Sequence, residues 1–410
     1  MQNRDKKIRV ALVTYAMHCG GVETFLLNLG KYLLLKGYAV DIVVTEEKGI
    51  WFSMIEKSGC RSVFIKGSRI WKNYLPFGDI VFSLKVGLTL KRQGYDIIFL
   101  NFTKYAQTSI RLFNERSKIV TILHSIHPDI FTIGLANQKE WDACVCVSEK
   151  VYAVAMEKQP GNSIFLIHCG IATPNISGVV LDRPLPESCL KILFVGRLQN
   201  SQKGIFLIPR IIQELIRRNI GDFSITIVGD GTDKVELMRL IREHSLEKFV
   251  TFLGMLPNDQ VMILMLQHHL LLMPSYYEGF PIVLLESLSA GCVPVVTLLP
   301  MITDITIENN KNGFLISMDD VEGFADAISF FKDNPGKWLD FSYQAIQTIQ
   351  HKYTIDSMGH KYVGLIEKLI DDPIMRHHRR RIGMPLDYSL IGIHPIPLFV
   401  RLGFIWLHAP

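Results

Sequence analysis

The fold is decided by the stretch PSYYEGFPIVLLESLSAGCVPVV, which runs from Pro274 to Val296. The apolar segment HHLLLM before it is short enough for a buried strand, and VPVVT at its end reads as a second one. Proline is favoured at the first position of a helix and glycine just past its end, so Pro281 and Gly291 predict a helix over about 281–290. The sequence therefore predicts a strand–helix–strand unit here.

Two glutamates accompany the start of that helix. Glu278 lies on the loop that enters it, and Glu286 lies on its second turn. Amide groups near 280–283 have no acceptor inside the helix, which makes its N-terminus an anion site. Open α/β sheets bind ligands at such strand ends. For an isolated pair of glutamates a solvated helix face is the commoner explanation, so the rest of the chain has to support a ligand site.

Length and composition indicate a globular protein of two or three domains, with 410 residues of which 48% are hydrophobic. Its longest apolar runs are too short to span a membrane, and the charged start MQNRDKK precedes no secretory apolar segment, so we expect a cytoplasmic protein. The seven cysteines are scattered. Cys144 and Cys146 alternate in a strand-like run, which predicts buried thiols rather than zinc ligands or disulfides.

The positive charge is concentrated at the C-terminal end. Of the net charge of +5, a net +4 comes from the residues after 372. They are Arg376, Arg379, Arg380, Arg381 and Arg401, against Asp387. The first 372 residues therefore lack the excess of positive charge that is typical of nucleic-acid-binding proteins. Over residues 376–407, basic side chains stand next to apolar ones. This pattern predicts that the tail docks to an anionic lipid surface at the inner face of the membrane. The alternative is that the tail packs on the body of the protein or on a partner.

Short apolar strands alternate with helical patterns through the chain, which indicates parallel sheets covered by helices. In the first half the predicted strands are 8–15, 39–45, 97–101, 118–124 and 142–148. After a segment rich in proline and small residues the pattern restarts. The fold class is α/β, with two Rossmann-like domains facing a cleft. We predict these parts: an N-terminal domain over 1–172, a linker over 173–188, a second domain over 189–350, a helical segment over 351–372 that packs back on the first domain, and a tail over 373–410.

Two cations follow the first strand of the second domain. Arg197 comes directly after the strand, and Lys203 lies six residues further on. An arginine fork and a lysine point charge suit a diphosphate. In the first domain, Gly20 and Gly21 would let the backbone approach a ligand at a helix N-terminus, although a plain tight turn explains them as well.

These motifs together resemble the retaining glycosyltransferases of family 4. The resemblance covers roughly residues 8–335 and implies the two-domain GT-B fold, in which the C-terminal domain holds a nucleotide-sugar donor and the N-terminal domain holds the acceptor. The matching motifs occur in the family's order: Gly20-Gly21-x-Glu23, Gly196-Arg197-Leu198, Lys203-Gly204, Val228-Gly229-Asp230-Gly231, Phe252-Leu253-Gly254, Pro274-Ser275 and Glu278-x7-Glu286.

The resemblance also implies roles for individual residues. Arg197 and Lys203 would clamp the donor diphosphate and stabilise the leaving group. Glu278 would lie near the donor sugar, and Glu286 would accept hydrogen bonds from the ribose. The remaining donor-binding residues would be Gly20, Gly21, Gly196, Gly279, Phe280, Pro281, Ile282 and Val283.

Histidines add one candidate catalytic residue. His124 ends a predicted strand where family members often carry a histidine that touches donor sugar or acceptor, and it matches better than His127. His268 and His269 lie in a core-like run and are predicted to be structural.

Some features depart from the family pattern. The run LLPMITD replaces the usual glycine pair after VPVVT, Asp304 stands where glutamate is common, and Lys203 lies one residue further from Arg197 than in many members. No Asp-x-Asp pair occurs in the chain, so we expect a mechanism without metal or other cofactor.

The expected function is transfer of a sugar from a UDP- or GDP-sugar, with retention, to a glycan or lipid-linked acceptor in cell-surface polysaccharide assembly. Two alternatives stay open. One is another enzyme of the same fold, such as an epimerase or a phosphorylase. The other is a non-catalytic nucleotide-sugar binder that scaffolds a biosynthetic complex.

Overall fold

The protein is described by a computed structural model that covers residues 7–67, 78–161, 163–173 and 189–371. Nearly all of the predicted linker and the whole predicted tail lie outside these ranges. The chain divides into two compact units. The first unit comprises Met1–Cys146, Tyr152–Leu166 and Lys361–Pro410, and the second comprises Val147–Val151 and Ile167–His360.

The first unit is built on a seven-stranded parallel sheet with strand order β3-β2-β1-β4-β5-β6-β7. Its strands are β1 Arg9–Ala16, β2 Ala39–Glu47, β3 Arg61–Phe64, β4 Ile97–Asn101, β5 Lys118–Leu123, β6 Ala143–Cys146 and β7 Ile164–Leu166. The α-helices of this half are α1 Gly21–Leu35, α2 Met54–Lys57, α3 Gly78–Gln93, α4 Lys104–Thr108, α5 Pro128–Gly134 and α6 Glu149–Lys158, with a 3₁₀ turn at Ile110–Leu112.

The second unit is built on a six-stranded parallel sheet with strand order β10-β9-β8-β11-β12-β13. Its strands are β8 Leu190–Val195, β9 Phe223–Val228, β10 Val250–Gly254, β11 Leu270–Met273, β12 Val293–Thr297 and β13 Phe314–Ile316. Its α-helices are α7 Asn200–Lys203, α8 Leu207–Arg217, α9 Lys234–Glu243, α10 Asn258–Gln267, α11 Ile282–Ser289, α12 Val321–Asp333, α13 Pro335–Lys352 and α14 Ile355–Asp371, with a 3₁₀ turn at Glu247–Phe249.

The predicted fold class is confirmed, because both units are parallel α/β sheets of the Rossmann type. The strands could be recognised because a parallel sheet is covered on both faces, so its strands are continuous apolar runs rather than alternating ones. Strand β11, LLLM, is buried throughout. Helix α8 shows the complementary pattern: Ile208, Ile211, Ile212 and Leu215 recur at helical spacing and are all buried.

Each sheet reverses its strand order once, and this fixes where a ligand can bind. In the first sheet the reversal lies between β1 and β4, and in the second it lies between β8 and β11. Loops leave the carboxyl ends of these neighbouring strands in opposite directions, which opens a crevice at that edge. The two edges are therefore the places to examine for a site.

Other expectations concern cysteines and membranes. None of the seven cysteines forms a disulfide, and Cys144 and Cys146 are fully buried in β6, as predicted. Within the described ranges, none of the helices combines the length and apolar character that a membrane crossing needs. Helix α14 begins in the second unit, and its residues from Lys361 onward belong to the first. There the Tyr362 ring lies 5.8 Å from that of Phe25 and 5.6 Å from that of Phe99.

Candidate functional site

The strand reversal of the second sheet brings two predicted motifs together. Strands β8 and β11 pair directly, with Leu270 opposite Ile192. Because the strands are parallel, the residues after β8 and the residues after β11 leave the sheet at the same edge. Gly196 and Arg197 follow β8, and the loop that carries Glu278 follows β11. The Gly196-Arg197 motif and the Glu278 loop, which are about eighty residues apart in the chain, are therefore neighbours in the fold.

An ion pair joins the two loops. The Nζ atom of Lys203 lies 2.6 Å from Oε1 of Glu278, and the two side chains are only 13% and 7% exposed. Next to it, the amide of Tyr276 donates a hydrogen bond to the carbonyl of Gln202 at 2.8 Å. An ammonium group has three N–H donors, so the bond to Glu278 leaves Lys203 with two donors for an anion.

Glycines allow the close approach that sets this geometry. Gly204 follows Lys203 with φ +59°, and a Cβ atom there would lie 2.0 Å from the carbonyl oxygen of Pro274. At Gly196 a Cβ atom would lie 3.5 Å from Cε of Lys203, so the lysine stem runs along bare backbone. Any side chain at Gly204 would push the two loops apart, because both the left-handed φ and the missing Cβ are required.

Arg197 is the second cation at this edge. Its side chain is exposed. Within the described ranges its guanidinium group forms no hydrogen bond or ion pair, so all five guanidinium donors are available. Arg197 and Lys203 thus supply one unpaired and one partly paired cation to the same sheet edge, an arrangement suited to an anion with several oxygens.

Glu286 is a buried carboxylate on α11, with 7% of its surface exposed. Burial raises its pKa to about 7, and a hydrogen bond from Asn258 acts in the opposite direction. Nδ2 of Asn258 donates this bond to Oε1 at 2.6 Å. A carboxylate has about four acceptor positions, so Glu286 keeps acceptors for hydroxyl groups. Asn258 was not predicted from the sequence; its place as the first residue of α10, after Pro257, was the available signal.

Helix α11 begins at Ile282, one residue later than predicted. Pro281 has extended ψ (104°) and is the capping residue rather than the first helical one. Phe280 and Ile282 are both buried. Within the described residues the amides of Gly279, Phe280, Ile282 and Val283 donate to no protein group, which leaves them available to an anion or a hydroxyl group.

The Phe280 ring packs against two further aromatic rings. The ring of His168 stacks on it at 5.3 Å between centroids, and the ring of Tyr353 lies at 5.7 Å. Nε2 of His168 also lies 3.1 Å from the Glu149 carboxylate. None of these supporting residues was predicted, because their neighbourhood depends on the tertiary fold.

The remaining predicted site residues belong to the first unit. Gly20 caps α1 with extended backbone, and a Cβ atom there would lie 2.9 Å from Oε2 of the buried Glu23. Gly21 is exposed at the first position of α1. His124 follows β5, and its Nε2 atom lies 2.9 Å from Oδ1 of Asn101.

The other histidines have local structural roles. Nδ1 of His127 accepts a hydrogen bond from the amide of Asp129 at the start of α5. As predicted, His268 and His269 are structural: His268 bonds Leu264 and Thr226, and His269 accepts from the amide of Lys191.

The departures seen in the sequence are local. Asp304 is exposed, and its carboxylate accepts a hydrogen bond from the amide of Ile302 inside a turn. Among the residues that the structure describes, no group of three or more His, Cys, Asp or Glu side chains is placed to hold a metal ion.

Two family models match the chain, one in each half. The model "Glycosyltransferase Family 4" matches residues 19–174, and the model "Glycosyl transferases group 1" matches residues 182–348. The second match contains the Arg197, Lys203, Glu278 and Glu286 positions.

Known proteins with similar sequences carry glycosyltransferase names. The chain is 24% identical over 274 residues to the putative colanic acid biosynthesis glycosyltransferase WcaL of Escherichia coli, a match that covers 62% of this chain and 65% of WcaL. It is 25% identical over 305 residues to the N-acetylgalactosamine-N,N'-diacetylbacillosaminyl-diphospho-undecaprenol 4-alpha-N-acetylgalactosaminyltransferase of Campylobacter jejuni, covering 70% and 80% of the two chains. The solved structure of HepE from Anabaena with UDP and glucose superposes with a TM-score of 0.72, at 17% identity over 88% of this chain and 100% of HepE.

Proposed function

Because the chain belongs to the glycosyltransferases of group 1 and family 4, we propose that it transfers a sugar from a nucleotide diphosphate to a glycan or lipid-linked acceptor, with retention of configuration. One observation carries the proposal: the Lys203–Glu278 pair, the unpaired Arg197 and the buried Glu286 lie at the strand reversal of the second sheet. Two cations there suit a diphosphate, and a buried carboxylate suits ribose hydroxyl groups.

Each part of the proposed donor meets a group of matching chemistry. Arg197 and the two open N–H donors of Lys203 bind the diphosphate oxygens and stabilise the charge that develops on the leaving group. Glu286 accepts hydrogen bonds from the ribose. The backbone N–H groups of Gly279, Phe280, Ile282 and Val283 bind sugar hydroxyl or phosphate groups, while Glu278 holds Lys203 in place beside the donor sugar.

The proposed reaction proceeds on one face of the sugar. The bond between the anomeric carbon and the diphosphate oxygen breaks, and a bond to the acceptor oxygen forms on the same side. The acceptor's proton passes to the leaving diphosphate, so the products are the glycoside and the nucleoside diphosphate. The charge on the leaving group is balanced by Arg197 and Lys203, and the proposal therefore needs no metal ion.

The acceptor class is proposed from the relatives' names. WcaL is named for colanic acid biosynthesis, and the C. jejuni relative for an undecaprenol-linked saccharide. A cytoplasmic enzyme of cell-surface polysaccharide assembly fits both names and the basic, apolar tail over 376–407.

The donor site is tested first by thermal unfolding. We expect one of the nucleotides UDP, GDP and ADP, and the nucleotide sugars that contain it, to raise the Tm of the protein. A ligand at about a hundred times its Kd stabilises the folded state by roughly 2.7 kcal/mol. The shift should be unchanged by EDTA and lost in Glu286→Ala and Arg197→Ala. Lys311→Ala, which removes a surface cation paired with Glu308, is the matched control and should keep it. Stabilisation by none of the nucleotides would contradict the donor site, and dependence on a divalent cation would contradict the metal-free mechanism.

Docking to membranes is tested on the tail. We expect the full chain to sediment with vesicles containing phosphatidylglycerol but not with phosphatidylcholine vesicles, because each arginine near an anionic surface contributes about 1 kcal/mol. The triple change of Arg379, Arg380 and Arg381 to Glu should abolish sedimentation, whereas the triple change to Lys should keep it. Deleting 374–410 should lower transfer to a lipid-linked acceptor and leave hydrolysis of the soluble donor unchanged. Unaltered lipid-linked transfer after the deletion would rule the membrane role out.

A further inference from the structure

His124 and Asn101 form a hydrogen-bonded pair at the strand reversal of the first sheet. Asn101 is the last residue of β4, and His124 follows the neighbouring strand β5. Nε2 of His124 lies 2.9 Å from Oδ1 of Asn101. Asn101 is fully buried and His124 is half-buried.

The second hydrogen bond of Asn101 decides which ring nitrogen carries the proton. The Asn101 amide nitrogen Nδ2 lies 3.2 Å from the carbonyl oxygen of Val13. A carbonyl can only accept, so the NH₂ group must face Val13 and the amide oxygen must face His124. That oxygen can only accept as well. Nε2 of His124 therefore carries the hydrogen, and in the neutral ring Nδ1 carries the lone pair.

The surroundings keep the ring neutral. The Phe25 ring meets the imidazole in an edge arrangement with 5.0 Å between centroids. Burial lowers the pKa of His124 to about 4. Within the described residues no carboxylate forms an ion pair with this imidazole. Near pH 7 His124 is thus one N–H donor, used by Asn101, and one acceptor, Nδ1.

We propose that Asn101 is a positioning residue that fixes the tautomer of His124, so that Nδ1 accepts a hydrogen bond from a hydroxyl group of the substrate sugar. The inference rests on the proposed function for the identity of that ligand. A phosphate oxygen has no hydrogen to donate at neutral pH, so Nδ1 selects a sugar hydroxyl group over the diphosphate. His124 is accordingly a recognition group, and neither a cation nor a general acid.

The tautomer can be measured without any substrate. Long-range ¹H–¹⁵N spectra of the full chain labelled at histidine, with His124 assigned by its absence in His124→Gln, should show a protonated Nε2 and an unprotonated Nδ1. The signals should not titrate between about pH 5.5 and 8, although an unperturbed histidine has a pKa near 6.5. The Nδ1–H tautomer, an average of both tautomers, or titration near pH 6.5 would overturn the proposal. In Asn101→Asp the added negative charge should raise the pKa of His124.

Kinetics separate positioning from a structural role. With the nucleotide sugar that thermal shift identifies, His124→Ala and Asn101→Ala should each lower kcat/KM by about tenfold, as for one lost hydrogen bond. The double variant should lose no more than His124→Ala alone, because Asn101 acts through His124. Additive losses would overturn the positioning role. If Asn101→Ala does not fold, the proposal is tested by the tautomer seen in the wild-type spectra and by the pKa of His124 in Asn101→Asp.

Substrate analogues identify the hydroxyl group. Among donor sugars or acceptors in which one hydroxyl group is replaced by fluorine, one should be poor for the wild type and no longer disfavoured relative to the parent in His124→Ala. Discrimination unchanged in His124→Ala for every analogue would overturn the hydroxyl assignment. Nucleoside diphosphate binding should stay unchanged in all these variants, so a failure of this inference is distinguishable from a failure of the donor site.

Discussion

Replacing Lys203 with Met should lower kcat by about 10²–10³-fold, because it removes a charge that stabilises the leaving diphosphate. The same change should destabilise the protein by about 3–5 kcal/mol, since it leaves the Glu278 carboxylate buried without its counter-ion. The Nζ–Oε1 distance of 2.6 Å and the low exposure of both side chains support this expectation. Steady-state kinetics with the identified donor and urea denaturation measure the two effects.

The two effects can be separated by a second change. In Lys203→Met/Glu278→Gln the buried charge is gone, so most of the lost stability should return while the activity stays low. Lys234→Met, which breaks an exposed ion pair with Asp230 on the same unit, is the control and should change stability by less than about 1 kcal/mol. Recovery of activity together with stability in the double variant would show that Lys203 serves only the fold.

The sheet edge and its loops could be predicted from the sequence for a definite physical reason. A buried parallel strand is an apolar run, and the polar or glycine residue that ends the run marks the carboxyl edge. Arg197, Glu278 and His124 all directly follow or lie just beyond such runs. Their positions could be read because strand ends are local features of the chain.

The partners of these residues could not be predicted, because they depend on which strands and helices become neighbours. Asn258 meets Glu286 across 28 positions and Asn101 meets His124 across 23. A single asparagine carries no periodicity, and its amide suits turns, caps and cores alike. The start of α11 was misplaced by one residue because proline is accepted both as the capping residue and as the first helical one, and only ψ distinguishes them.

The buried environment of Glu286 also could not be read from its motif, and it makes donor binding depend on pH. Ribose hydroxyl groups donate to the ionised carboxylate, so a proton on Glu286 competes with the donor. Since burial places the pKa at about 7, donor affinity should be constant above that pH and fall about tenfold for each pH unit below it. Calorimetric titration with an intact nucleotide sugar, whose diphosphate does not titrate in this range, should show a loss of about a hundredfold between pH 8 and pH 5.

Glu286→Gln provides the matched control, because glutamine has nearly the same shape and no titrating proton. Its donor affinity should be weaker than that of the wild type at pH 8 and independent of pH. The ligand-free protein should show the opposite trend. A carboxyl group with a raised folded-state pKa stabilises fully below its ordinary value of 4.5, and that stability is lost as the pH rises through about 7. Wild-type stability should therefore decline by about 3 kcal/mol relative to Glu286→Gln over this range, while donor binding strengthens. A wild-type affinity that is flat from pH 5 to 8 would mean that Glu286 does not contact the donor.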